Sequence, residues 1–437
     1  ENASLSDFAI HIKTLKDGSI ELGCHVVDVT AHIEEGSSLD RRARKRSSGV
    51  FMPQKTVHLL PKQLNSSLAL TKDKLSATIS VVYKIDASSL DIVSTWIGES
   101  TIVPADLLTF DQVNKEITSG NASEFISDVH KVANQFYCQR LNLSGAQLKP
   151  NLALLETLDD EKVNVDLNIL ENSIADTVFD EIQRKVNSTV AEKIYNKLGS
   201  LSFLRRQAEP ITTKLKLFKK KVQNFGYDVD ITSASAAISS ILSIEDTKAR
   251  ACVEILLFKT FTRAKYFIAG KVDSDQYRNY SLNLPLYTHF TAPLRRYADH
   301  VVHRQLKSVI RGTEYQEDSD SLKITSEYCN FKKDCAHHAQ EQAIHLLLCK
   351  TINDMGNATG QLLTMATVLQ VYESSFDIFI PEFGIEKRVH GDQLPLIKAE
   401  YDGSKRILEL YWQAGVDSAT FVPADEKNPK SYRNSIK

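Results

Sequence analysis

The chain has 437 residues, with 53 lysines and arginines against 55 aspartates and glutamates, a formal net charge of −2. That balance excludes a chain that coats nucleic acid by bulk charge, and a hydrophobic fraction of 42% excludes a disordered one. A single core seldom grows past roughly 300 residues, so the length predicts one large domain plus a small one, and no apolar run is long enough for a membrane span.

Phe8–Lys13 and Ile20–Val29, around the Asp17-Gly18 turn, read as a β-hairpin. Asp40 is placed to cap a short helix carrying Arg41, Arg42, Arg44, Lys45 and Arg46, a cluster suited to a phosphate backbone or, alternatively, to plain solvation. Leu75–Ile85 and Leu90–Ile102 form a second strand pair. From about Asp106 the pattern turns helical: Asp111–Leu141 puts Phe125, Ile126, Val129, Val132, Ala133 and Phe136 on one face. A strand pair is expected near Lys149–Leu170, then an amphipathic helix over Ile174–Lys197. Over Thr213–Phe225, Lys214, Lys216, Lys219, Lys220 and Lys221 alternate with Leu215, Leu217 and Phe218, giving a helix with a basic side that is either solvated or beside an RNA path. Helices follow at Ala234–Leu242 and Lys248–Lys265.

The block Tyr287–Leu306 joins a loop to a helix. With Thr291 as N-cap and Pro293 in the first turn, the helix is expected to begin near Ala292. Arg295 and Arg296 then lie in the first turn, where the macrodipole is already positive. An anion must offset them, either Asp299 or a phosphate from a ligand. Ser321–Met355 reads as a helix with Ile324, Tyr328, Phe331, Cys335, Ala339, Ile344 and Leu347 on its apolar side. Beyond Gly356, short alternating strands at Gly360–Tyr372, Phe376–Pro381, Ile385–Val389 and Arg406–Trp412 suggest an OB-type barrel of about five strands, a fold that stacks single-stranded bases on aromatics. The tail from Asp425 is expected to be mobile.

Six cysteines, Cys24, Cys138, Cys252, Cys329, Cys335 and Cys349, form no C-x-x-C pair and read as reduced thiols of a cytosolic or nuclear protein. His289, Asp299, His300 and His303, like Cys329, Cys335, His337 and His338, have spacings that suit helix packing better than tetrahedral metal ligation. No metal or cofactor is expected. No G-x-S-x-G elbow supports a serine nucleophile.

Eight stretches in collinear order, Gly23–Thr30, Gly36–Arg46, Phe51–Pro53, Leu59–Pro61, Leu204–Pro210, Leu256–Tyr266, Tyr287–Leu306 and Tyr328–Lys333, resemble the RNB catalytic domain of the ribonuclease II family, processive 3′-to-5′ exoribonucleases. The resemblance covers nearly the whole chain. It implies an α+β fold: an RNB-type mixed sheet with surrounding helices over 1–355, a small all-β OB-type RNA-binding barrel over 356–424, and a flexible tail over 425–437. It also implies that active relatives carry cold-shock-type OB domains upstream of this stretch.

In active members two Mg²⁺ ions clamp the scissile phosphate, held by an Asp, five other residues, then Asp-x-Asp-Asp, directly before the first strand. Here that segment is Glu1-Asn-Ala-Ser-Leu-Ser-Asp-Phe. With Asp7 matched to the last acid, Ser4 and Ser6 replace the two before it, and the first acid precedes the chain. Anchoring on Ile10 instead places Ala3, Leu5 and Ser6 there. Either way a hydroxyl or methyl group stands where charge is needed. Arg295 matches the arginine that stabilises the transition state in active relatives. Ser66–Lys74 is shorter than the family's loop and lacks its Cys-Ser-Leu.

This pattern is similar to that of the fungal RNB pseudonucleases, cytoplasmic proteins that bind messenger RNAs and restrain their translation, including those for cell-wall proteins. The resemblance implies single-stranded RNA as partner, Arg41, Arg42, Arg44, Lys45, Arg46, Arg295 and Arg296 as RNA contacts, and a cytoplasmic location that includes messenger-RNA granules. An active exoribonuclease with relocated ligands and a protein scaffold without RNA contact remain the alternatives.

Overall fold

A computed structural model describes residues 6–143, 145–152, 154, 173–360 and 362–416. Of these, residues up to Ile244 and from Glu254 to Ile344 form one unit, and Glu245–Val253 with the residues from His345 onward form another.

The first unit starts with β1 (Phe8–Thr14) and β2 (Ile20–Val27), paired from Phe8 against Val26 to Thr14 against Ile20. Gly18 takes φ +81° in the connecting turn, a left-handed conformation that glycine adopts without a Cβ clash. Then come α1 (Ser38–Arg46), the short ribbon β3 (Val50–Met52) and β4 (Lys55–Val57), and α2 (Lys62–Leu68). The long strands β5 (Ser76–Ile85) and β6 (Ile92–Ile102) complete an antiparallel sheet in the order β1-β2-β5-β6.

Alternation decides which face is core. Leu22, Cys24 and Val26 of β2 and Ile79, Val81, Tyr83 and Ile85 of β5 are all fully buried. They join the buried faces of α4 (Glu124–Leu141) and α5 (Ile174–Leu198) in one cluster that includes Val132, Phe136, Ile182 and Val186, and Ile117 of α3 (Phe110–Ser119) packs against it half-buried. Tyr83 closes against Phe136 with ring centroids 6.0 Å apart, and its hydroxyl donates to Thr189 Oγ1 at 2.9 Å. The opposite face carries a polar row across the four strands, in which His11 meets His25 at 2.8 Å and His25 meets Ser80 at 2.6 Å.

Next in the chain are β7 (Phe203–Arg206), α6 (Thr212–Asn224), α7 (Ala234–Leu242), α8 (Thr247–Phe258) and β8 (Lys265–Ile268), with β7 and β8 paired antiparallel. They are followed by α9 (Tyr297–Arg311) and α10 (Ser319–Thr359). In the second unit β9 (Thr367–Val371), β10 (Ser375–Ile380) and β11 (Ile385–His390) form a three-stranded antiparallel sheet, and β12 (Leu396–Asp402) pairs with β13 (Ile407–Trp412). These are the small antiparallel sheets of an OB-type element. The mixed α+β architecture of the first unit agrees with the expected class.

Several local expectations are corrected. The helix expected from Ala292 begins at Tyr297, because Ala292–Arg295 form a tight turn in which Arg296 N–H donates to the Ala292 carbonyl at 3.1 Å. The cap of α1 is Ser37, whose hydroxyl accepts from Asp40 N–H, while Asp40 reaches back to Gly36 N–H. The helix expected over Lys248–Lys265 ends at Phe258, and Lys265 opens β8. Phe125, placed on the core face of α4, is 38% exposed.

The rotation of α10 is the largest departure. Its buried side holds Leu322, Thr325, Ser326, Cys329, Lys333, Ala336, His337 and Gln340, whereas Ile324 and Phe331, expected inside, are 63% and 60% exposed. Strand β12 was not among the expected strands. The strand pair near Lys149–Leu170 lies almost entirely outside the described residues, as do Ser4 and the tail over 425–437. All six cysteines are free thiols, four of them buried.

Candidate functional site

The segment before β1 meets the loop before α9. Asp7 is buried, and its Oδ1 accepts from Leu294 N–H at 2.8 Å, while its own carbonyl accepts from Val27 N–H at 2.9 Å. Ser6 contributes its carbonyl to Leu70 N–H. Burial pushes the Asp7 carboxyl up to about 7, more than the Leu294 amide and Arg295 pull it down.

The loop itself is held from every side. Thr288 Oγ1 donates to the Phe203 carbonyl at 2.9 Å, Phe290 N–H donates to Asn187 Oδ1 at 2.9 Å, and His289 Nδ1 meets the Tyr266 hydroxyl at 2.6 Å. From α9, His300 Nε2 donates to the Pro293 carbonyl at 2.7 Å and His303 Nε2 to the Phe290 carbonyl at 2.9 Å. Burial lowers both imidazoles, His300 to about 4, and a carbonyl partner requires that Nε2 carry a hydrogen in each. These histidines are loop braces.

Arg296 sits at the N-cap of α9, 5% exposed, and forks onto Asp299 with Nε to Oδ1 at 2.9 Å and Nη2 to Oδ2 at 3.0 Å. Asp299 also accepts from Ala292 N–H at 2.7 Å. Burial would raise its carboxyl, but Arg296, with His289 and the Ala292 amide, outweighs that and holds it below the usual carboxylate range. The anion that Arg296 calls for is therefore supplied internally, by Asp299. Nearby, Asp28 binds Lys307 at 2.6 Å.

Two Mg²⁺ ions need several ionised carboxylates with free oxygens. Asp7 is a single carboxyl with one oxygen occupied by the Leu294 amide, and both oxygens of Asp299 are engaged by Arg296, one of them also by the Ala292 amide. Among the described residues the donor set does not fit the ion pair of an active centre. Among the described residues no group of three or more His, Cys, Asp or Glu is arranged to hold a metal ion.

The basic cluster of α1 divides in two. Arg41, Arg42 and Lys45 are exposed, while Arg44 donates to Thr325 Oγ1 and Arg46 donates to the His58 carbonyl at 2.6 Å. Arg295 is partly buried, and its carbonyl accepts from Gly49 N–H at 2.8 Å. The structure thus brings Asp7, Arg295 and Arg296 together, with α1 tied to the same region through Tyr297 N–H, which donates to the Ser47 carbonyl at 2.8 Å. Sequence reasoning missed Asn187, which grips the loop from α5. A lone Asn directly after Val186 in an apolar helix face is the available signal.

Comparison with known proteins places this geometry. The family described as RNB domain matches residues 1–312, and the one described as DIS3-like exonuclease 2 C terminal matches residues 360–437. Protein SSD1 of Saccharomyces cerevisiae is 67% identical over 433 residues, covering 99% of this chain and 35% of its own length. The solved structure described as yeast Ssd1, a pseudonuclease, superposes with a TM-score of 0.95 at 67% identity, covering 100% of this chain and 54% of that one. RNase R of Mycoplasma genitalium, in complex with ribose-methylated single-stranded RNA, shares the fold with a TM-score of 0.75 at 18% identity, covering 94% of this chain and 66% of that one. The chain spans between about a third and about half of the length of the curated relatives it matches.

Proposed function

This chain belongs to the RNB family, and we propose that it is an RNA-binding member that does not cut RNA and that represses messenger RNAs, those for cell-wall proteins included, in the cytoplasm and its messenger-RNA granules. One observation carries the reading. The segment that should deliver metal-binding carboxylates delivers Ser6 and a buried acid, Asp7, one of whose oxygens is taken by the Leu294 amide. One carboxyl beside a hydroxyl cannot anchor a two-ion centre, so phosphodiester hydrolysis by the family's route lacks its electrophile.

Binding needs none of that chemistry. Cations on an ordered scaffold suffice to hold a phosphate backbone, and the exposed Arg41, Arg42 and Lys45 are assigned that role. The likeness to a structure described as a pseudonuclease supports the same reading. No helix of the described residues is long and apolar enough to cross a membrane.

Incubating the purified protein with end-labelled single-stranded RNA and Mg²⁺ tests the proposal. The RNA should be retained at full length while shifting in a gel. Processive shortening from the 3′ end would show an active exoribonuclease with relocated ligands.

A further inference from the structure

We propose that the outward side of α10, together with α1, is a stacking surface for single-stranded RNA, with bases on Phe331 and Tyr328 and phosphates along Arg41, Arg42, Lys45 and Lys332. The inference rests on the RNA-binding reading above and assigns it a place.

Helix α10 turns its polar side inward and its rings outward. Lys333 Nζ donates to the Ala264 carbonyl at 2.6 Å, Asn330 exchanges two hydrogen bonds with the backbone of Tyr266 at 2.7 and 2.9 Å, and Gln340 accepts from Phe51 N–H at 3.2 Å. These anchors fix the helix rotation. Phe331 is left 60% exposed, with its ring centroid 6.5 Å from that of Tyr328. A buried polar side and an exposed aromatic one invert the usual amphipathic arrangement. The inversion is held by specific bonds, so the rings are presented rather than misplaced.

Charge identifies the occupant. The Tyr328 hydroxyl donates to the Lys45 carbonyl at 2.9 Å, which seats the ring at the C-terminal end of α1, and Lys332 Nζ lies 5.6 Å from the centre of the same ring. Arg41 precedes Lys45 by one helical turn and so shares its side of α1. None of Arg41, Arg42, Lys45 and Lys332 has an ion-pair partner among the described residues. On α10 itself the acids beside the rings face other lysines, Glu327 lying 3.8 Å from Lys323 and Asp334 3.9 Å from Lys333.

Rings interleaved with unpaired cations suit a strand that offers a π-face and a phosphate at every step. They suit an apolar protein partner poorly, since docking there would bury the cations without counter-charge. The ring separation is about twice the ~3.4 Å rise of a stacked strand, so bases seated one per ring belong to an unstacked single strand.

The test is fluorescence polarisation of labelled oligouridine against the whole chain and its Phe331→Ala, Phe331→Leu and Phe331→Trp variants. Stacking of one base predicts a loss of roughly 5-fold or more for both Ala and Leu, and affinity near the parent value for Trp. Thermal melting should be unchanged, because the ring is exposed. Photocrosslinking with 4-thiouridine RNA should map to the peptide that contains Tyr328 and Phe331. Parent-like affinity in Ala and Leu, or rescue by Leu but not by Ala, would overturn the stacking surface while leaving RNA binding itself intact. Absence of RNA binding by the parent chain would instead overturn the functional reading and this inference with it.

Discussion

Asp7 is a carboxylic acid whose proton is held by burial, with the Leu294 amide and Arg295 too weak to reverse it. Its folded pKa, about 7, lies above the ordinary value of 3.8, so the unfolded chain releases this proton first as pH rises. The stability this group lends is therefore complete below about pH 3.8 and is lost progressively up to pH 7, by roughly 4 kcal/mol as an upper bound. Asp7→Asn keeps an oxygen for the Leu294 amide and removes the titration. The stability of the parent relative to the variant, from denaturation midpoints measured between pH 4 and pH 8, should fall as pH rises. An equal slope in both would show that Asp7 is ionised in the fold. Arg296 and Asp299 are the contrasting case, since their mutual fork keeps both charges where burial alone would not.

At the scale of elements, the first hairpin, the two long strands and helices α3 to α7 follow from period and turn chemistry alone. What local rules misjudged were places where a distant group decides. The sequence Thr291-Ala-Pro matches a helix start, yet Arg296 is extended and bridged to Ser48, so the turn over Ala292–Arg295 is not continued and the helix waits until Tyr297. For α10 the apolar spacing pointed inward, but Lys333, Asn330 and Gln340 find backbone partners on the other side and turn Phe331 out. Of the candidate site, the acid deficit was legible because it is a matter of residue type. The split of the α1 cations into exposed and engaged was not, because it depends on Thr325, far away in sequence, and on the His58 carbonyl just beyond the β3–β4 ribbon.

The attachment of α1 makes a prediction at the same scale. Asp40 accepts from Gly36 N–H at 2.9 Å, the Tyr297 hydroxyl at 3.0 Å and Arg304 Nη2 at 2.7 Å, so one buried side chain joins the start of α1 to α9. Burial alone would raise its carboxyl, but Arg304, then the Gly36 amide and Tyr297, hold it below the usual range. Asp40→Ala leaves Arg304 without its counter-charge and should destabilise the unit that carries α1 by about 3–5 kcal/mol, read as a drop in urea midpoint. Asp40→Asn, which retains acceptors, should lose less. Equal losses would mean that the volume of the side chain matters and its charge does not.

For the molecule as a whole, a net charge of −2 means that a polyanion is neither drawn in nor held by the average field. Any affinity for RNA must come from a few cations placed close together, and its salt dependence counts them. For a single strand the logarithm of affinity falls against that of salt concentration with a slope near −0.7 per phosphate neutralised. Replacing Arg41, Arg42 and Lys45 together with glutamine should therefore reduce the slope by about 2. Phe331→Ala removes a stacking contact and no charge, so it should lower affinity at every salt concentration and leave the slope alone. Polarisation titrations across a salt series separate the two terms. A triple variant with the parent slope would place the phosphate contacts away from α1. A change of slope in Phe331→Ala would mean that the ring organises the cations instead of seating a base.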